Sequence, residues 1–94
     1  MYFHKVSGTI PENKHKEFEQ TFSFVGTNLP VGCAGIEFSR DIENLDRYHF
    51  ISFWEHLNSM EHFTHSTTHV ILLGAFRTLG ELNENKIGIM IEIN

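Results

Sequence analysis

"RYHFISFWEHLNSMEHFTHSTTHVILLGAF", residues 47–76, decides the fold. Its first part, Tyr48 to Glu55, is aromatic-rich and alternates with period two, which predicts a strand. Tyr48, Phe50, Ser52 and Trp54 fall on one face, with His49, Ile51 and Phe53 on the other. Leu57 to His65 then predicts a short helix whose apolar side is Leu57, Met60 and Phe63. Ser66-Thr67-Thr68 has N-cap chemistry, so a new helix is expected from there to about Leu79. Gly80 ends it.

Outward from this segment, Tyr2 to Thr9 reads as a first strand. Pro11 suits a first helical position, with Thr9 or Ile10 near the cap. The following run, ENKHKEFEQTFSFVGTNL, places Phe18, Phe22, Val25 and Leu29 on one helical stripe, and Pro30 marks its end. Cys33 to Arg40 predicts strand two, with Ala34, Ile36 and Phe38 on one face and Gly35, Glu37 and Ser39 on the other. Polar Asp41 to Asp46 would turn it into the Tyr48–Glu55 strand as a hairpin. Strand four is expected from Lys86 to Asn94, with Ile87, Ile89, Ile91 and Ile93 on one face.

The order is β-α-β-β-α-α-β. It specifies an α+β fold of the ferredoxin-like, split βαβ kind with an antiparallel sheet. One domain fills residues 1–94, because 94 residues leave no room for two. Both faces of the sheet carry apolar residues, and only one can be covered by the helices. The other predicts a homodimer in which two sheets pack face to face.

The single Cys33 offers no disulfide framework. The start, MYFHKVSG, lacks a charged segment followed by an apolar one, so a reducing, cytoplasmic location is expected. A net charge of −5 without a basic stripe argues against nucleic acid as a partner. No apolar run approaches membrane-spanning length, so no membrane partner is expected.

The stretch LPVGCAGIEFSRDIENLDRYHFISFWE resembles the glycine-cysteine turn, hairpin and strand-ending tryptophan of the antibiotic biosynthesis monooxygenase superfamily. SMEHFTHS…ILLGAF resembles its helix pair, and PENKHKEFEQTF its first helix. The resemblance spans nearly the whole chain and implies a dimeric α+β barrel. Some members oxidise phenols or quinols with O₂ and need no metal or flavin; others degrade haem. Where the polyketide-oxidising branch carries an Asn and a Tyr, this chain has Phe50 and Met60, and Trp54 alone matches. Ser7, Phe63 and Leu73 stand where the haem-degrading branch carries Asn, Trp and His. The quinol-oxidising branch commonly has a His at the place of Phe63.

Five of the seven histidines crowd residues 47–76. His62, His65 and His69 would share a face on one continuous helix, a spacing able to hold a metal. The Ser-Thr-Thr stretch breaks that helix, and His62 and His65 fall opposite its apolar side. They read as a solvated polar face, so no metal site is expected. His69 is different, because it opens the apolar face of Leu72, Leu73 and Phe76. It is the candidate base or hydrogen-bond partner for an oxygenated ligand. Trp54, Phe50, Tyr48, Phe63 and Phe22 are the candidate substrate-binding residues, lining an apolar cavity between sheet and helices. Arg40 would serve a phenolate, or pair with Asp41, Glu43 or Asp46. His4 and His15 carry no distinguishing signal.

Two functions fit this reading. One is an oxygenase without cofactor acting on a small aromatic phenol or quinol. The other is a non-catalytic module of the same fold, binding a small hydrophobe or acting through its dimer surface.

Overall fold

The computed structural model describes residues 1–93. The elements are β1 (Tyr2–Thr9), a 3₁₀ turn (Glu12–Lys14), α1 (His15–Thr27), β2 (Cys33–Arg40), β3 (Arg47–Trp54), α2 (Leu57–Thr64), α3 (Thr67–Leu79) and β4 (Glu81–Ile89). The strands form one antiparallel sheet in the order β2-β3-β1-β4. This is the ferredoxin-like arrangement the sequence predicts, with β1 and β3 at the centre.

The alternation of β3 sets the layering. Tyr48, Phe50, Ser52 and Trp54 are buried beneath the helices, while His49, Ile51 and Phe53 are half-buried on the open face. β1 follows the same rule in register, with His4 opposite Ser52 and Val6 opposite Phe50. The helices close the layer with Phe18, Phe22 and Val25 from α1, Met60 and Phe63 from α2, and Leu72 and Phe76 from α3.

α2 spans only eight residues. A helix that short is not stable alone in water. Burying Met60 and Phe63 contributes roughly 1.5–3 kcal/mol for each side chain, which is what holds it. α3 begins where Ser66 Oγ accepts from the backbone N–H of His69 at 3.2 Å. Such a cap contributes about 1 kcal/mol and fixes the first turn that carries the His69 side chain.

Strand four departs from expectation. It starts at Glu81, directly after α3, and ends at Ile89 rather than running from Lys86 to Asn94. Its polar start, ELNEN, reads as loop by composition. Pairing decides instead: all eight residues of β1 need a partner, and β4 supplies them from Thr9↔Glu81 to Tyr2↔Ile89. A bulge at Ser7/Gly8 absorbs one residue. Ile91 and Ile93 lie beyond the strand and are exposed, and Asn94 lies outside the described residues.

The sharp junction from α3 to β4 depends on two glycines. A side chain at Gly80 would strike the Thr9 carbonyl, and one at Gly8 would strike Phe76 and the Glu81 carbonyl. β2 also carries a bulge between Cys33 and Gly35, so Ala34 is exposed rather than aligned with Ile36 and Phe38.

Candidate functional site

His4 and His69 meet in the gap between sheet and helices. His4 is 1% exposed and His69 6%. Their Nε2 atoms are 3.3 Å apart, and His4 Nε2 also lies 2.8 Å from Asn85 Oδ1 on β4. A carboxamide oxygen only accepts, so with Asn85 so oriented the hydrogen of His4 sits on Nε2. His69 Nε2 then offers its lone pair to the weaker limb of the same hydrogen. His4 Nδ1 is left as a bare acceptor, buried with no partner.

Burial, the His4 ring, and the charges of His65 and Arg77 push the pKa of His69 down to about 4. Burial also lowers that of His4, against the opposing bond to Asn85. Both imidazoles are therefore neutral at pH 7.

Aromatic rings wall this pair. Phe63 stands edge-on to both imidazoles, at centroid distances of 5.7 Å from His4 and 5.5 Å from His69. Phe50 lies 6.3 Å from His4. Trp54 stacks on Phe63 at 5.4 Å, and its Nε1 donates to Ser52 Oγ at 2.8 Å. The structure thus gathers His69, Phe50, Phe63 and Trp54 in one part of the helix–sheet gap. Phe50, Phe63 and Trp54 are 0% exposed and pack on one another, so they fill the expected cavity rather than line an open one.

The layer opens on one side. Asn85, Ile87 and Ile89 share the face of His4 by register, yet all three are exposed because the helices do not cover the outer edge of β4.

Tyr48 and Phe22 lie elsewhere. They line a cleft of about 270 Å³ with Glu19, Phe38, Ser39 and Arg40 at the α1–β2 edge. Phe38 links the two places, stacked on Phe22 at 4.0 Å and 5.2 Å from Phe50. Tyr48 Oη donates to Glu19 Oε2 at 2.6 Å. Burial and that bond raise the phenol pKa to about 12. The expected single cavity is therefore two separate environments, because Phe38 and Phe50 fill the space between them.

Sequence reasoning missed His4 and His15. Alternation could have found His4: Lys5 and Ser7 point away from the helices, so His4 and Val6 must point toward them. His15 Nε2 lies 2.8 Å from the Ile10 carbonyl and 2.9 Å from Asp46 Oδ1. Asp41 meets His49 Nε2 at 2.7 Å and Arg47 Nε at 3.8 Å. Neither carboxylate is thus left for Arg40. His56, His62 and His65 are exposed. Among the described residues no three His, Cys, Asp or Glu side chains converge as a metal-binding group. No helix there is long and apolar enough to cross a membrane.

The family model for antibiotic biosynthesis monooxygenase matches residues 1–70. The chain belongs to that family. The matched segment contains His4, Phe50, Trp54, Phe63 and His69. No curated protein matches in sequence. Among solved structures, the monooxygenase family's fold recurs in SnoaB, a cofactor-independent oxygenase from Streptomyces nogalater. The two share 16% identity with a TM-score of 0.79, covering 98% of this chain and 94% of that one. A conserved protein from Methanosarcina mazei Go1 superposes with a TM-score of 0.75 at 15% identity, over 93% and 87% of the two chains. A conserved protein from Bacteroides thetaiotaomicron does so with 0.79 at 10% identity, over 93% and 94%. At such identities the likeness is one of fold.

Proposed function

We propose that this chain is a cofactor-independent monooxygenase that oxidises a small electron-rich phenol or quinol with O₂. The observation that carries this reading is the His4–His69 pair: two neutral imidazoles in contact, one with a bare buried Nδ1, inside aromatic walls. An unpartnered buried acceptor costs about 1–3 kcal/mol, so the bare Nδ1 of His4 calls for a reason, and proton chemistry beside His69 supplies one. The family membership and the fold shared with a cofactor-independent oxygenase support the same reading.

In this reading His69 is the catalytic residue and His4 its positioning partner. The substrate approaches over Ile87 and Ile89, displaces the Asn85 contact and reaches the edge of the His4–His69 pair. His69 accepts the phenol proton. Its low pKa opposes this in the empty site, but a phenolate formed beside the imidazolium offsets the cost of the new charge. The phenolate passes one electron to O₂, and the resulting radical pair combines into a C–O bond. The peroxide takes the proton back from His69, and loss of the remaining C–H proton as the O–O bond breaks leaves a carbonyl and releases water. Per turnover the activated carbon, a CH₂ in the keto form of the phenol, becomes C=O, and O₂ supplies that oxygen and the oxygen of one water. The protein contributes positioning, exclusion of water and the proton site.

Homodimerisation through the open sheet face belongs to the same proposal. Phe3, Ile51 and Phe53 are half-buried there, and a domain of this size gains core from a second copy. The closed packing of Trp54, Phe50 and Phe63 favours a second reading, a non-catalytic module of the same fold. Oxygen uptake over a panel of anthrones and quinols separates the two. Uptake matched by carbonyl product supports the oxygenase. Binding of the same compounds with no uptake supports the module.

A further inference from the structure

The hydrogen on His4 Nε2 has two acceptors in reach, Asn85 Oδ1 at 2.8 Å and His69 Nε2 at 3.3 Å. The shorter contact holds it, so the His69 lone pair is engaged only weakly. His4 is 1% exposed, so its N–H cannot turn to water and must keep an acceptor. Its Nδ1 offers the hydrogen no alternative, being buried beside no partner. Asn85 is different. It is exposed on β4, an edge strand, so its carboxamide can leave His4 and be rehydrated.

An oxygen that replaces Asn85 Oδ1 inherits the His4 hydrogen. Beside it stands His69 Nε2, a lone pair in need of a donor. A hydroxyl meets both needs through one atom, accepting from His4 and donating to His69. An ether or carbonyl oxygen meets only the first. A carboxylate also only accepts, and it finds no cation in the pair, because burial keeps both imidazoles neutral at pH 7.

We propose that Asn85 is a latch standing in for the substrate hydroxyl. It holds His4 as a donor until a phenol oxygen takes its place, entering between the rings as they part. His4 then donates to that oxygen while His69 receives its proton. This rests on the pair being the phenol site proposed above. It gives His4 a direct part in the chemistry: as the O–H proton passes to His69 Nε2, the phenolate oxygen left behind keeps the His4 hydrogen bond. It also sets specificity. A phenol is preferred over its methyl ether, and a quinone product, whose oxygen only accepts, is held less well.

The test titrates the full chain at pH 7 with phenol and with anisole, following the imidazole nitrogens by long-range proton–nitrogen NMR. The free protein should show the His4 hydrogen on Nε2 and a bare Nδ1. Phenol should move the Nε2 signals of both rings and bind at least about fivefold more tightly than anisole, the factor of one neutral hydrogen bond. Asn85→Ala removes the competing oxygen and should tighten phenol by a similar factor; the His4 hydrogen keeps His69 as acceptor in that variant. Asn85→Asp holds the hydrogen with a charged acceptor and should weaken phenol. An Asn85 that merely fills space would leave the near-isosteric Asp variant at wild-type affinity. A His4 hydrogen on Nδ1, equal binding of phenol and anisole, or phenol affinity not raised by Asn85→Ala and lowered by Asn85→Asp would each overturn this inference while leaving His69 as the base of the proposed reaction. No phenol binding at millimolar concentration would overturn both.

Discussion

His4 on β1 and His69 on α3 hold their Nε2 atoms 3.3 Å apart across the helix–sheet gap. Neither ring can take a proton without placing a charge beside its neighbour in an apolar layer. That relationship governs both the proposed chemistry and the response of the fold to acid.

Burial lowers the pKa of His69 to about 4 from an ordinary value of 6.5. As pH falls through 6.5, the unfolded chain takes the proton first, so the unfolded state binds more protons between 6.5 and 4. Stability therefore declines across that window and the term is spent below it. The difference corresponds to roughly 3 kcal/mol. Urea unfolding at pH 7, 5.5 and 4 should show a decline that is shallower in His69→Gln than in wild type. Parallel pH dependences would remove the burial argument.

Trp54 donates its indole N–H to Ser52 Oγ, and both residues are 0% exposed. Ser52→Ala strands that donor where water cannot reach it. The expected loss is about 1–3 kcal/mol in chemical denaturation. Thr64→Ala removes an exposed bond to the Glu61 carbonyl and should change stability by less than about 0.5 kcal/mol.

Two glycine substitutions should move stability in opposite directions. A methyl at Gly8 meets Phe76 and the Glu81 carbonyl, whereas one at Gly74 in α3 meets nothing within 4 Å. Gly8→Ala is expected to cost about 1–3 kcal/mol by overpacking. Gly74→Ala should stabilise by about 0.5–1 kcal/mol through helix propensity. Thermal unfolding of the two variants beside wild type decides both signs.

The proposed dimer makes its own prediction. Ile51 and Phe53 lie on the open face of β3. Sedimentation equilibrium should give about twice the chain mass of 10.9 kDa for wild type, and a shift toward monomer for Ile51→Lys. A wild-type monomer at tens of micromolar would end the barrel proposal.

Much of this architecture was legible in the sequence because period two and period 3.6 report burial directly. The β3 alternation identifies Tyr48, Phe50, Ser52 and Trp54 as the inner face, and Ser66 announces the start of α3. β4 was misplaced because its polar first half owes its conformation to pairing with β1, which composition does not encode. His4 was half legible. Alternation in β1 turns it inward, but its partners appear only where β1, β4 and α3 converge on it. The division of the aromatic residues into two environments depends on how Phe38 and Phe50 fill space, a property of packing rather than of pattern.

The central claim is that His69 moves a proton for an oxygenation. Oxygen consumption with a dihydroxyanthrone, followed together with anthraquinone formation, tests it most directly. The account predicts one O₂ consumed per quinone by wild type, and a rate about 10²–10⁴-fold lower in folded His69→Gln. Equal rates in wild type and variant, or none above the uncatalysed reaction in wild type, would contradict it.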